Sequence, residues 1–238
     1  MTTVRTRWFG PSSSDTVVAV LPGLGLPSYV TPLADDLARR GVACAVLDLP
    51  GFGSRAGLVC APDVIAMGEA AAEWVSALAP TRRVVVLGHS TGAQAALGTA
   101  ISLQHDRPDS ALVLCAPTFH PDHRGLLGLA RATSTAYRRD SPKEVVVVPD
   151  LVRGNVDVAR IVRSGMRDRP EVRITRLELP VLLTAGRADT YAPPAWLERL
   201  AAAAGRSPWV TTAVLDGSHN NLYTHGEALA GVILDAVG

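Results

Sequence analysis

A serine sits between two glycines in Gly88-His89-Ser90-Thr91-Gly92, after the apolar run Val84–Leu87 and before the helix-forming Ala93-Gln94-Ala95-Ala96. A strand that feeds a helix through so tight a turn forces its central residue into strained backbone angles. The neighbours two positions away must lack bulk for the turn to close. Such a turn lifts the Ser90 hydroxyl above the end of a sheet and aims the first amides of the helix at the same point. Serine alone is a weak nucleophile and needs a base, and the base needs an acid to orient it. Asp189 stands beyond the apolar run Val181–Ala185 and just before Pro193, while His219 follows the run Val210–Leu215. The order Ser, Asp, His, each beyond a different strand, is what acyl-transfer chemistry on a sheet edge requires.

Other residues compete for these roles less well. Asp216 lies three positions before His219 in a glycine-containing turn, which it shapes. His89 adjoins Ser90, but its side chain should point away from the serine hydroxyl as a packed, hydrogen-bonded histidine. His120, Asp122 and His123 lack further ligands at metal spacing and read as solvated or pocket-lining residues. His105 and His225 fall on predicted helices with no chemical partner. The loop Gly23-Leu24-Gly25-Leu26-Pro27-Ser28 follows a strand, with Asp48 further on, as in a dinucleotide site. Ser28 replaces the third glycine of that pattern, and Pro27 removes an amide that would face the pyrophosphate. No metal or organic cofactor is expected.

The positioning elements are short β-branched runs alternating with longer Ala/Leu-rich stretches. This is the pattern of a mostly parallel sheet covered on both faces by helices. Buried strands are expected at Thr16–Leu21, Val42–Leu47, Val84–Leu87, Ala111–Cys115, Val181–Ala185 and Val210–Leu215, with Val4–Phe9 pairing at an edge. Helices are expected at about 30–40, 65–79, 92–105, 194–204 and 224–237. The rhythm breaks between Pro117 and Arg176, too long a stretch to be structureless. It holds helix-like pieces at about 125–138 and 156–167, and twelve basic against seven acidic residues. The expected organisation is a core of residues 1–116 and 177–238 with a cap or lid inserted at 117–176.

Composition narrows the class. The 238 residues are 47% hydrophobic and 19% charged, enough for one large core. A net charge of +1 argues against a whole-chain grip on nucleic acid or an anionic membrane. Cys44, Cys60 and Cys115 form no CxxC pair and suit a reducing compartment. The first ten residues carry no apolar run of signal length, and no stretch approaches a membrane span. A cytoplasmic protein is expected. Its oligomeric state is not legible.

Taken together, Leu21-Pro22-Gly23-Leu24, Asp48-Leu49-Pro50-Gly51-Phe52-Gly53-Ser54, the Gly88–Gly92 turn, Gly186–Asp189 and Gly217-Ser218-His219 resemble the α/β-hydrolase superfamily over nearly the whole chain. The resemblance implies Ser90 as nucleophile, His219 as general base and acid, and Asp189 as orienting carboxylate. It also implies an oxyanion hole from the backbone N–H groups of Leu24 and Thr91, and a cap that shapes the pocket. Many relatives carry His-Gly where this chain has Pro22-Gly23, and many have two strands before the first buried one. The implied activity is hydrolysis of a small-molecule carboxylic ester or thioester through an acyl-enzyme. Lactonase and carbon–carbon bond hydrolase chemistry stay open, as do acyltransferase or cyclase-like use and a binding role without catalysis. The arginines Arg124, Arg131, Arg138 and Arg139 favour an anionic or carrier-bound substrate, although lysine is so scarce that they also fit a bias in composition.

Overall fold

The computed structural model describes residues 4–52, 57–136 and 148–237. Among these, seven strands form one sheet: β1 (Thr6–Phe9), β2 (Thr16–Leu21), β3 (Ala43–Leu47), β4 (Arg83–His89), β5 (Ala111–Cys115), β6 (Val181–Gly186) and β7 (Val210–Leu215). Their order is β1-β3-β2-β4-β5-β6-β7, with β1 antiparallel to β3 and every other pairing parallel. The helices are α1 (Thr31–Arg39), α2 (Val64–Ser76), α3 (Thr91–Leu103), α4 (Leu126–Ala136), α5 (Val148–Arg167), α6 (Pro170–Arg173), α7 (Pro194–Ala203), α8 (Asn221–Thr224) and α9 (Gly226–Val237). The α/β fold with both sheet faces covered is the one expected.

The unbroken β-branched runs of the central strands are explained by their surroundings, since side chains on both faces must be apolar. On one face α2, α3 and α7 pack Met67, Leu97 and Trp196 onto Val84, Val86 and Leu183. On the other, Leu33, Leu37, Leu229 and Ile233 of α1 and α9 meet Val18, Val85 and Val113. Two expectations change. The run Val210–Leu215 forms the outer strand β7, where Thr211 and Thr212 face solvent, so it is half-covered instead of buried. The helix expected from residue 156 begins at Val148, because Pro149 falls in the first turn, where its missing N–H costs nothing.

The segment between β5 and β6 is less detached than its composition suggests. Ile161 of α5 is fully buried within the same core as α2 and α3. Nearby, the Val64 amide donates to Ser164 Oγ at 3.0 Å, and Gln94 Nε2 of α3 donates to the Gly165 carbonyl at 2.9 Å. Arg173 ties α6 to the same helix, donating to the Gln94 carbonyl at 3.2 Å while it pairs with Asp168 at 3.0 Å.

Candidate active site

Ser90 lies between the end of β4 and the start of α3 with φ 55° and ψ −123°. For a side-chain-bearing residue this conformation costs about 1–3 kcal/mol. The surroundings fix it. The Ser90 amide donates to the Cys115 carbonyl of β5 at 3.0 Å. A Cβ on Gly88 would overlap the Gly92 carbonyl, and one on Gly92 would overlap the Leu21 carbonyl. Glycine at both positions is thus required by close backbone approach, as the sequence pattern anticipates.

The three side chains singled out from the sequence converge from three separate loops. His219 Nε2 stands 2.9 Å from Ser90 Oγ, and His219 Nδ1 stands 3.0 Å and 3.2 Å from the two Asp189 carboxylate oxygens. A carboxylate only accepts, so Nδ1 carries the proton and Nε2 is left to accept from the serine. Asp189 is buried and its Oδ1 also accepts from the Tyr191 and Ala192 amides at 2.8 and 3.0 Å. Burial works to raise its pKa, but the adjoining His219 and the two amides outweigh that and hold the carboxyl below the usual range. The carboxylate is therefore ionised across neutral pH. Asp216, by contrast, is exposed beside Arg187 at 3.6 Å, away from His219.

The amide expected from the resemblance at Leu24 is engaged. Leu24 occupies a left-handed turn at φ 54°, and its N–H donates to Thr91 Oγ1 at 2.7 Å. The Thr91 amide itself opens α3, at the positive end of a 13-residue helix.

Above Ser90 opens a cavity of about 310 Å³ whose walls include Leu24, Leu26, Phe119, Leu129, Val162 and Tyr191. Among the described residues, His89 and His219 are the only ionisable side chains in its lining apart from the tyrosines. The Tyr191 ring lies 4.7 Å from the His219 ring, and its hydroxyl donates to Thr133 of α4 at 3.0 Å. Thr190 adds a second tie, to the Ala132 carbonyl at 3.0 Å. The acid loop and α4 are thereby stitched together beside the cavity. Tyr191 and Thr190 carry no sequence pattern that marks them for this role.

Of the arginines read as substrate-binding, Arg124 and Arg131 do not line this space. Arg124 forms a two-pronged pair with Glu171 at 2.7 and 2.6 Å, and both side chains are mostly buried. Burial acts to raise the Glu171 pKa, but Arg124 and Arg199 hold it below its ordinary value. Arg124 also lies over the Trp196 ring at 5.9 Å, so its charge is committed to holding α6 against α7. Arg131 is exposed on α4 and is absent from the cavity wall, and Arg138 and Arg139 lie outside the described residues. His120 and His123 are part-buried and likewise absent from the cavity wall. Their rings are 5.5 Å apart, and His120 meets the edge of Trp196 at 5.5 Å. Among the described residues no group of three or more His, Cys, Asp or Glu could hold a metal ion. No helix there is long and apolar enough to cross a membrane. Burial pushes the thiols of Cys44 and Cys115 up to about 12, so both are protonated near neutrality.

Residues 18–232 match the family model described as the alpha/beta hydrolase family. The chain is 29% identical to an uncharacterized protein of Mycobacterium tuberculosis, over 97% of this chain and 72% of the relative. Among solved structures it is similar to a lipase-esterase related protein from Clostridium acetobutylicum, with TM-score 0.74 and 14% identity over 98% and 99% of the two chains. It is also similar to a thermophilic esterase from Thermogutta terrifontis, with TM-score 0.70 and 20% identity over 98% and 92%.

Proposed function

The chain belongs to the alpha/beta hydrolase family, and from that premise we propose that it is a serine hydrolase cleaving small carboxylic esters or thioesters with a mainly apolar acyl group. The observation that carries the reading is the continuous hydrogen-bond path from Ser90 Oγ through His219 to Asp189. Ser90 attacks the acyl carbonyl while His219 Nε2 takes its proton, and ionised Asp189 supports the imidazolium that results. The oxyanion meets the Thr91 amide, and the Leu24 amide joins it once the substrate oxygen displaces the Thr91 hydroxyl. His219 then protonates the leaving group, and water releases the acyl-enzyme by the same route in reverse.

The cavity supports an apolar acyl group over an anionic one. Among the described residues its walls hold no arginine or lysine, and Arg124 is neutralised by Glu171. The segment above the cavity, with α4 and part of α5, acts in this reading as the cap that sets acyl size, since Leu129, Thr133 and Val162 reach the cavity from it.

The test is intact mass after treatment with a fluorophosphonate probe. Wild type gains one adduct, and Ser90→Ala and His219→Ala gain none. Wild type that turns over a short neutral ester should lose most of that rate in either variant. An unlabelled, folded wild type that is also silent on short esters defeats the proposal.

A further inference from the structure

We propose that Tyr29 and His89 are positioning residues, a buried bridge that fixes the oxyanion turn and the loop of the catalytic base at a set distance from each other. This rests on the reading of Ser90 and His219 given above. The bridge has three links. The Gly23 amide donates to Tyr29 Oη at 2.6 Å, Tyr29 Oη lies 2.7 Å from His89 Nδ1, and His89 Nε2 lies 2.9 Å from the His219 carbonyl oxygen.

The proton positions follow from the atoms at the two ends. A carbonyl oxygen can only accept, so His89 Nε2 carries a hydrogen and donates it to His219. At the other end the Gly23 N–H can only donate, so Tyr29 Oη accepts there and sends its own proton to Nδ1. The three polar atoms of these two side chains are all engaged: Oη accepts from Gly23 and donates to Nδ1, Nδ1 accepts, and Nε2 donates. The path admits one arrangement only, with a neutral His89 in the Nε2–H tautomer. A second proton on His89 would turn Nδ1 into a donor facing Tyr29 and leave the phenol hydrogen with no acceptor.

The surroundings enforce the same state. Tyr29 is 3% exposed and His89 1%. Their ring centroids are 5.3 Å apart, and the His89 and His219 rings are 5.0 Å apart. A Cβ on Gly23 would come within 2.7 Å of Tyr29 Oη and 2.8 Å of Ser90 Cβ, so the turn is pressed against both. Burial, with the neighbouring His219, depresses the His89 pKa to about 3.

The consequence for chemistry is one of distances. His89 precedes Ser90 in the chain, so the bridge references the oxyanion turn and the base to the nucleophile's own strand. Oxyanion donors work only near 2.7–3.1 Å from the developing charge, and a misplacement of about 1 Å costs up to about a hundredfold. Neither Tyr29 nor His89 transfers a proton to the substrate. Their effect is on the rate of the chemical step and not on substrate affinity.

The experiment is a kcat and KM comparison of Tyr29→Phe, His89→Leu and His89→Gln on a short neutral ester, with thermal unfolding of each. The expected result is a fall in kcat of at least about tenfold for Tyr29→Phe and His89→Leu, with KM within about twofold. His89→Gln, which keeps a donor and an acceptor on one side chain, retains more of kcat than His89→Leu. Variants that melt lower but keep kcat within twofold would overturn the proposal and make the pair core packing. A second measurement needs no variant: the side-chain 15N spectrum of wild type should show one histidine locked as the Nε2–H tautomer between pH 5 and 8. A His89 that is protonated on Nδ1 in that range overturns the bridge. Ser90→Ala in the same assay tests the underlying reading separately, because activity that survives it would sink the mechanism while leaving the tautomer observable.

Discussion

The layer beneath Ser90 and the segment above it, residues 117–176, both hold buried polar groups, and they use them for different ends. Below, Asp189, His219, His89, Tyr29 and Gly23 are joined by hydrogen bonds whose directions are all determined. Above, Arg124 closes on Glu171 and Arg173 on Asp168. The lower network sets distances to the reacting atoms. The upper pairs hold segments of chain together, and the charges of Arg124 and Arg173 are spent on that.

The largest effect that would break this contrast is at Asp189. Asp189→Asn keeps the shape but removes the charge and favours the wrong His219 tautomer, and kcat should fall by about ten-thousandfold. A mild loss would mean the lower network is as incidental to turnover as the upper pairs are expected to be.

Arg124→Met sharpens the other side. It leaves Glu171 mostly buried and unpaired, a change that typically costs about 3–5 kcal/mol, read as a lower denaturant midpoint. The ratio of kcat/KM between neutral and anionic esters of matched size should stay the same. A shift of that ratio towards neutral esters would return Arg124 to substrate recognition.

A further effect is on stability against pH, and its sign follows from His89. The folded-state pKa is about 3 against 6.5 for the free residue, so between those values the unfolded chain binds a proton that the native chain excludes. Stability should rise with pH across that window by up to about 1.4 kcal/mol per unit and level off above it. Asp189 adds a slope of the same sign only below the ordinary carboxylate range, where its lowered pKa lies. The groups facing His89 are Tyr29, His219 and Asp189. A His89→Gln protein should show a flatter profile, measured by urea unfolding at several pH values.

The difference between the two regions also explains what the sequence disclosed. Gly88, Ser90 and Gly92 are legible because a five-residue turn leaves no choice of residue. Asp189 and His219 are legible because each sits a few positions past a strand, and strands are marked by their β-branched runs. Arg124 is different, since its partner Glu171 lies 47 positions away and nothing local announces the pairing. Tyr29 acquires its role only by meeting Gly23 and His89 in space. The occupied Leu24 amide depends on one rotamer of Thr91, which no pattern of residue types encodes. Helix α5 extends beyond the expected 156–167, since its proline lies in the first turn and burial of Ile161 helps to hold the rest.

Helix α5 carries one more implication. Strands β5 and β6 are parallel neighbours, so the chain must travel back the length of the sheet between them. The stretch that makes the journey follows α5: Arg173 donates to the Gln94 carbonyl near the start of α3, and the Glu178 amide donates to Gln104 at its end. The wall of the cavity and the return path of the chain are thus one piece of polypeptide. A transplant of residues 117–176 from a relative would exchange a supporting beam along with the door, and selectivity and folding would change together.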